Sequence, residues 1–289
     1  MQPIHRHPVA SLQVLAGACI CFAATQAIAA ESYDNCTGFI DSVPATISTQ
    51  GTWCLRKDLA TAMATGNAIS VATNNVTIDC NGFKLGGLAA GSATSAVGIK
   101  AFDRSNITVR NCTVRGFHYG GMFAGPGHLI EGNRFDGNTY TGFSINGNSA
   151  IARGNLVVDT GGSTISPSSV GIVAFDGIHL EDNTISGIAP AAGLGGAAVG
   201  IRMFAGPGSI VGNRIRGLVA DVGGTARGIH KTGSEPALIQ GNDIASAGDS
   251  SGIGIECSDV RNRYRDNVVT GLGTGFAGCG SAGGNNHQP

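Results

Sequence analysis

Three side chains of complementary chemistry recur at wide, similar intervals in a chain with few charges. Arg202, His230 and Glu256 stand 28 and 26 residues apart, and only 13% of the 289 residues are charged. An imidazole between a cation and a carboxylate can take up a proton near neutral pH. A guanidinium neutralises a substrate carboxylate through its planar fork, and a carboxylic acid returns a proton to a leaving oxygen. Together these are the needs of β-elimination on a polyuronate, with His230 as base, Arg202 as neutralising cation and Glu256 orienting the imidazole or supplying the proton. Phe102, Phe175 and Phe204 are candidate stacking surfaces for sugar rings, and Lys100 and Lys231 are candidate cations beside them. The plainer reading of the same trio is a salt-bridge ladder on a solvated face.

Two interleaved repeats must position these residues. An asparagine followed two places later by an apolar residue recurs at Asn133, Asn155, Asn183, Asn213, Asn242 and Asn267, with Asn81 and Asn111 as looser early members. In step with it runs a glycine before an apolar residue: Gly98-Ile99, Gly121-Met122, Gly142-Phe143, Gly171-Ile172, Gly200-Ile201, Gly228-Ile229, Gly254-Ile255 and Gly275-Phe276. Between the landmarks lie short runs with period-two alternation, as strands require. Three short strands per turn, with no helix long enough for a crossover, stack at about 4.8 Å per coil and pair each strand with its copies above and below. The fold predicted is all-β: a right-handed, single-stranded parallel β-helix of about eight coils, with an asparagine ladder bonding the backbone at each bend.

If the apolar residue after each glycine faces inward, the next faces out. That column reads Lys100, Phe123, Ser144, Val173, Arg202, His230 and Glu256, and a second, two residues on, reads Phe102, Gly125, Asn146, Phe175, Phe204, Thr232 and Ser258. Arg202, His230 and Glu256 become consecutive rungs. Inserted loops at 161–170, 189–199 and 219–227 precede the strands of the middle coils and would flank a groove there. His128, in a Gly-Pro-Gly-His turn, reads as a turn residue, and His179, with apolar neighbours on either side, as an exposed strand residue.

The segment Asn75-Val76-Thr77-Ile78-Asp79-Cys80-Asn81-Gly82 resembles a stretch in the first coils of many secreted members of the pectate-lyase-like β-helix superfamily, and the resemblance covers about residues 36–280. It implies the fold strongly and the activity weakly, because lyases, hydrolases, epimerases and adhesins share this scaffold. The clustered calcium-binding aspartates of pectate lyases and the motifs of polygalacturonases are missing, so no catalytic residue carries over. Two readings follow: an exported enzyme acting on an acidic polysaccharide, most plausibly a lyase, or a non-catalytic β-helix binding glycans or a cell-surface partner. No metal or other cofactor is expected.

Near-balanced charge, 18 basic against 19 acidic residues, gives no electrostatic case for nucleic acid. Residues 1–29 read as a secretory signal peptide: basic residues, an apolar run too short to span a membrane, and Ala27 and Ala29 framing a cleavage site. This makes the protein secreted or periplasmic, without a membrane span, and it is read as a monomer. A cap over 30–66, a β-helix over 67–280 and a flexible tail over 281–289 complete the division. Residues 55–66, rich in alanine and leucine and ending at glycine, predict a short capping helix. Six cysteines remain after export, and register pairs Cys36 with Cys54, Cys80 with Cys112, and Cys257 with Cys279. For Cys80 and Cys112, buried free thiols are the alternative.

Overall fold

The computed structural model describes residue 33 and residues 35–280 and 284–289. The segment read as a signal peptide lies outside the described residues. Every strand pairing among the described residues is parallel, and one face is a 10-stranded sheet running the length of the stack. About eight turns result. A typical coil holds a long strand such as Val97–Phe102, a second such as Ile107–Arg110 and a third such as Thr113–Arg115.

Each strand contributes an inward column, and the columns meet in a single core. Ile99, Phe143, Ile172, Ile201, Ile229 and Ile255 come from the first strands. Val109, Ile130, Leu180, Ile210 and Ile239 come from the second, and Val114, Phe135, Val157, Ile185, Ile215, Ile244 and Val269 from the third. All are fully buried, and each such side chain stabilises the stack by about 1.5–3 kcal/mol.

The glycine column has a steric cause. A Cβ on Gly142 would come within 2.5 Å of the Gly171 carbonyl oxygen above and 2.5 Å of the Val157 side chain inside, and the same collision recurs at Gly171, Gly200, Gly228 and Gly254. The chain bends inward there, so the residues on either side of the inward pair face out together. Val170 and Val199, just before their glycines, accordingly pack with Val173 in a small apolar cluster outside the main core.

The asparagine ladder forms as expected from Asn133 to Asn267. Each side-chain amide donates to the next asparagine's Oδ1 at 2.9–3.0 Å and to a carbonyl of the coil below at 2.8–3.0 Å. That same Oδ1 accepts the backbone N–H of the asparagine below it. Asn81 and Asn111 are not members: they sit at positive φ, and Cys112 takes the place under Asn133. All three expected disulfides are present, with Cα separations of 5.8 Å for Cys36–Cys54 and 4.7 Å for both Cys80–Cys112 and Cys257–Cys279.

Three expectations are corrected. Residues 55–66 form no helix: Leu59–Ala60 is a strand paired with Leu85–Gly86, because Leu55 and Leu59 are buried in the core and the stack offers their backbone a ladder. A lone short helix would have to meet its nucleation cost without that support. The glycine of the second complete coil is Gly120, not Gly121. Gly121 takes the inward position and Phe123 fills the space it leaves, its ring 2.5 Å from where a Cβ would sit. Finally, the described end of the expected tail adds a rung: Asn286 extends the ladder, His287 bridges Val268, and Gln288 accepts the Gly275 N–H at 2.8 Å.

Candidate functional site

The corrected register fixes what the outer face of the first strands presents. Lys100, Met122, Ser144, Val173, Arg202, His230 and Glu256 form the outward column, so Met122 replaces Phe123, which is buried. The second column reads Phe102, Ala124, Asn146 and Phe175, with Ala124 in place of Gly125 and Phe204 continuing past Met203. Because the chain bends at each glycine, a third column joins these two: Tyr119, Thr141, Val170, Val199 and Arg227.

Between these columns lies a cavity of about 320 Å³. Phe102, Phe175 and Phe204 wall one side, Tyr119 and Tyr140 the other, and Arg202 closes one end. Phe175 and Phe204 stack on adjacent rungs with centroids 4.6 Å apart and planes 7° from parallel, and Phe102 is 45% exposed. Tyr140 is held from behind by His118, stacked on it at 4.9 Å. The first inserted loop folds back along the stack to support that histidine, through Thr164 N–H on the Ser92 carbonyl and Ser166 Oγ at 3.4 Å from His118 Nε2. Burial, helped by Tyr140, pushes the Tyr119 phenol up to about 12, so it stays protonated.

Arg202 is half-buried and its Nε has no hydrogen-bond partner. Burial lowers its pKa from the usual range, Tyr140 nearby raises it and Arg227 lowers it, but a guanidinium remains a cation under any ordinary condition. A half-buried cation with an enclosed, unpartnered Nε and no acid beside it is the feature of the cavity that most calls for an anion.

His230 and Glu256 do follow Arg202 on successive rungs. Glu256, however, is ion-paired with Arg227, whose Nε donates to Oε2, and His230 Nε2 lies 3.5 Å from the same oxygen. His230 Nδ1 is enclosed without a partner. Burial lowers the His230 pKa, Glu256 opposes this, and Arg227 and Arg202 add to it, so the imidazole is neutral at pH 7. Neither His230 nor Glu256 lines the cavity.

Lys231 is not a surface cation. It shares its register with Met203 and Cys257, both inward, and is fully buried, its Nζ donating to the carbonyls of Thr232 at 2.8 Å and Phe204 at 3.3 Å. Lys100 is outward, its ammonium 5.3 Å from the centroid of Phe102. His128 is buried in its turn, where Nδ1 accepts the Ile107 N–H, and His179 is exposed and bonded to Ser209. Cross-rung ion pairs thus include Arg227–Glu256 on the first-strand face, and on the second-strand face Asp79–Arg110 and Glu131–Arg153 at 2.7 Å each.

Tyr119 and Tyr140 are not among the residues the sequence singles out, and Arg227 is singled out there only as a polar exception in an inserted loop. Tyr119 and Arg227 stand immediately before a column glycine, and that position is legible as outward once the glycine is recognised as an inward bend. Tyr140 carries no such signal.

No family of known sequences matches the chain, and no curated protein does. Among solved structures it is similar to the A-module of the Azotobacter vinelandii mannuronan C-5 epimerase AlgE6, at 12% identity and a TM-score of 0.40, covering 88% of this chain and 91% of that one. It is also similar to the tailspike protein of E. coli bacteriophage HK620, at 11% identity and a TM-score of 0.37 over 86% of this chain and 54% of the other. ORF18 of Geobacillus virus E2 aligns at 10% identity with a TM-score of 0.33, over 87% and 53%. The chain thus spans about half the length of the two viral proteins. These likenesses concern the fold alone.

Proposed function

We propose that this is an exported glycan-binding β-helix protein whose outer trough takes an acidic polysaccharide, acting as a monomer. The observation that carries the reading is the aromatic-walled cavity closed by an unpaired, half-buried guanidinium. Aromatic rings offer flat apolar surfaces to sugar faces, while Arg202 offers a planar fork to a carboxylate. Three disulfides fit the oxidising compartment that an exported protein enters.

A second reading, β-elimination of the bound glycan, is favoured by one observation: His230 is neutral and lies one rung from Arg202. Against its priority, one ring nitrogen faces an oxygen already held by Arg227 and the other is enclosed. Binding is therefore the first function and cleavage the second.

Titrating the mature protein calorimetrically with a panel of acidic and neutral oligosaccharides, while following ultraviolet absorbance for unsaturated products, separates the readings. Saturable binding of acidic members without new absorbance is expected. New absorbance that is abolished by His230→Ala would install the lyase, and failure of every glycan to bind would remove both.

A further inference from the structure

The trough between the Lys100 and Arg202 rungs has a charge pattern that selects among acidic glycans. Fifteen positions on these five rungs turn away from the core: Lys100, Met122, Ser144, Val173 and Arg202 in the first column, and two flanking columns running from Phe102 to Phe204 and from Val97 to Val199, the second of which is buried except at Tyr119. Apart from Lys100 and Arg202 at the two ends, none of the fifteen carries a charge. No described carboxylate forms an ion pair with either cation. The two cations are four rungs apart, about 19 Å at 4.8 Å per rung.

A homopolyuronate carries a carboxylate on every sugar. Laid along this trough it would set charges against Met122, Val173 and the Phe175–Phe204 stack, where nothing replaces the water each loses. An ionised carboxylate buried without a partner is strongly disfavoured. Neutral sugars suit the same surface, since they stack on rings and find hydrogen-bonding partners in Ser144 and Asn146. Lys100 does not line the cavity itself; its ammonium stands over the ring of Phe102, which does, and so lies beside the trough's far end.

Resting on the glycan-binding reading above, we infer that the ligand is an acidic heteropolysaccharide whose acid groups are separated by several neutral sugars, one acid meeting Lys100 and the next Arg202. The spacing of the cations, and not their number, sets the specificity. A glycan with acids on every unit is rejected by the apolar middle of the trough, and a neutral glycan loses both charged anchors.

Three probes of equal length test this by calorimetry on the full mature protein: a deacylated gellan octasaccharide, with one glucuronate in each tetrasaccharide repeat, the same octasaccharide after carboxyl reduction, and an octagalacturonate. The gellan fragment is expected to bind at least about tenfold tighter than either of the others, since a charge-assisted contact is worth about that factor or more. Lys100→Met and Arg202→Met should each remove about tenfold for the gellan fragment and leave the reduced fragment unaffected; circular dichroism confirms the fold of both variants. Octagalacturonate binding as tightly as the gellan fragment overturns the inference while leaving the glycan-binding reading standing. So does an unchanged affinity in Lys100→Met. If none of the three binds and a wider glycan panel also fails, the parent reading falls and the inference with it.

Discussion

Arg202 and Lys231 show how burial decides the meaning of a cation. Both sit on first strands, yet one residue of register separates them: Arg202 aligns outward beside Val173 and His230, and Lys231 aligns inward between Met203 and Cys257. The sequence reading could place Arg202 because its inward neighbour Ile201 was unambiguous, and could not place Lys231 because a lysine at an inward position violates the apolar pattern. The histidines give a testable consequence at this scale. Burial lowers the pKa of His118, His128 and His230 below the usual 6.5. The unfolded chain therefore takes up protons first as pH falls through about 6.5, while the folded chain resists. Their contribution to stability is full above that value and is lost progressively toward the lower folded values. The thermal midpoint should drop between pH 7 and pH 5, and His128→Gln should make the drop shallower. A midpoint that holds or rises over this interval contradicts the burial of these rings.

The glycine bend and the asparagine turn were legible at the scale of the element because each solves a problem that recurs in every coil. No other side chain fits where a Cβ would strike the next coil's carbonyl, and few others can both donate and accept at one bend. Where two solutions are interchangeable the reading slipped: Gly120-Gly121 offers two candidate glycines, and only the Phe123 ring packed over Gly121 reveals which one bends. The predicted capping helix failed for a related reason, since the propensity of its alanines is weak beside the pairing that neighbouring coils offer. Two substitutions test these elements. Asn183→Ala strands the Asn155 N–H and side-chain amide, the Ala152 carbonyl and the Asn213 Oδ1 contact in a fully buried site, and should cost about 3–5 kcal/mol in urea unfolding. A loss under about 1 kcal/mol would show the ladder to be dispensable. Cys80→Ser with Cys112→Ser opens a closure of 32 residues and should cost about 2–4 kcal/mol, read as a lower urea midpoint with a slope equal to or steeper than the native one, because the unfolded chain is no longer held compact by the link.

The stack of parallel coils gives the described residues an outer face on which side chains far apart in sequence stand at regular intervals. The rungs of Phe102 and Phe204 are 102 residues apart along the chain and belong to one trough. The architecture followed from periodicity alone, because coil stacking constrains every turn alike. The trough was only half legible: its phenylalanine wall lies in a column that alternation gives directly, whereas its tyrosine wall depends on the bend at Gly120 and on a loop that folds back over His118. Function rests on that wall being a binding surface. The most direct measurement is the affinity of the double variant Phe175→Ala with Phe204→Ala for an acidic oligosaccharide that the native protein binds, with circular dichroism verifying the β-helix. Removing the stacked pair should weaken binding by about a hundredfold, the factor expected when two rings that each contribute about 1.5 kcal/mol of buried apolar contact are lost. An affinity equal to that of the native protein, in a variant with its fold intact, would contradict the account.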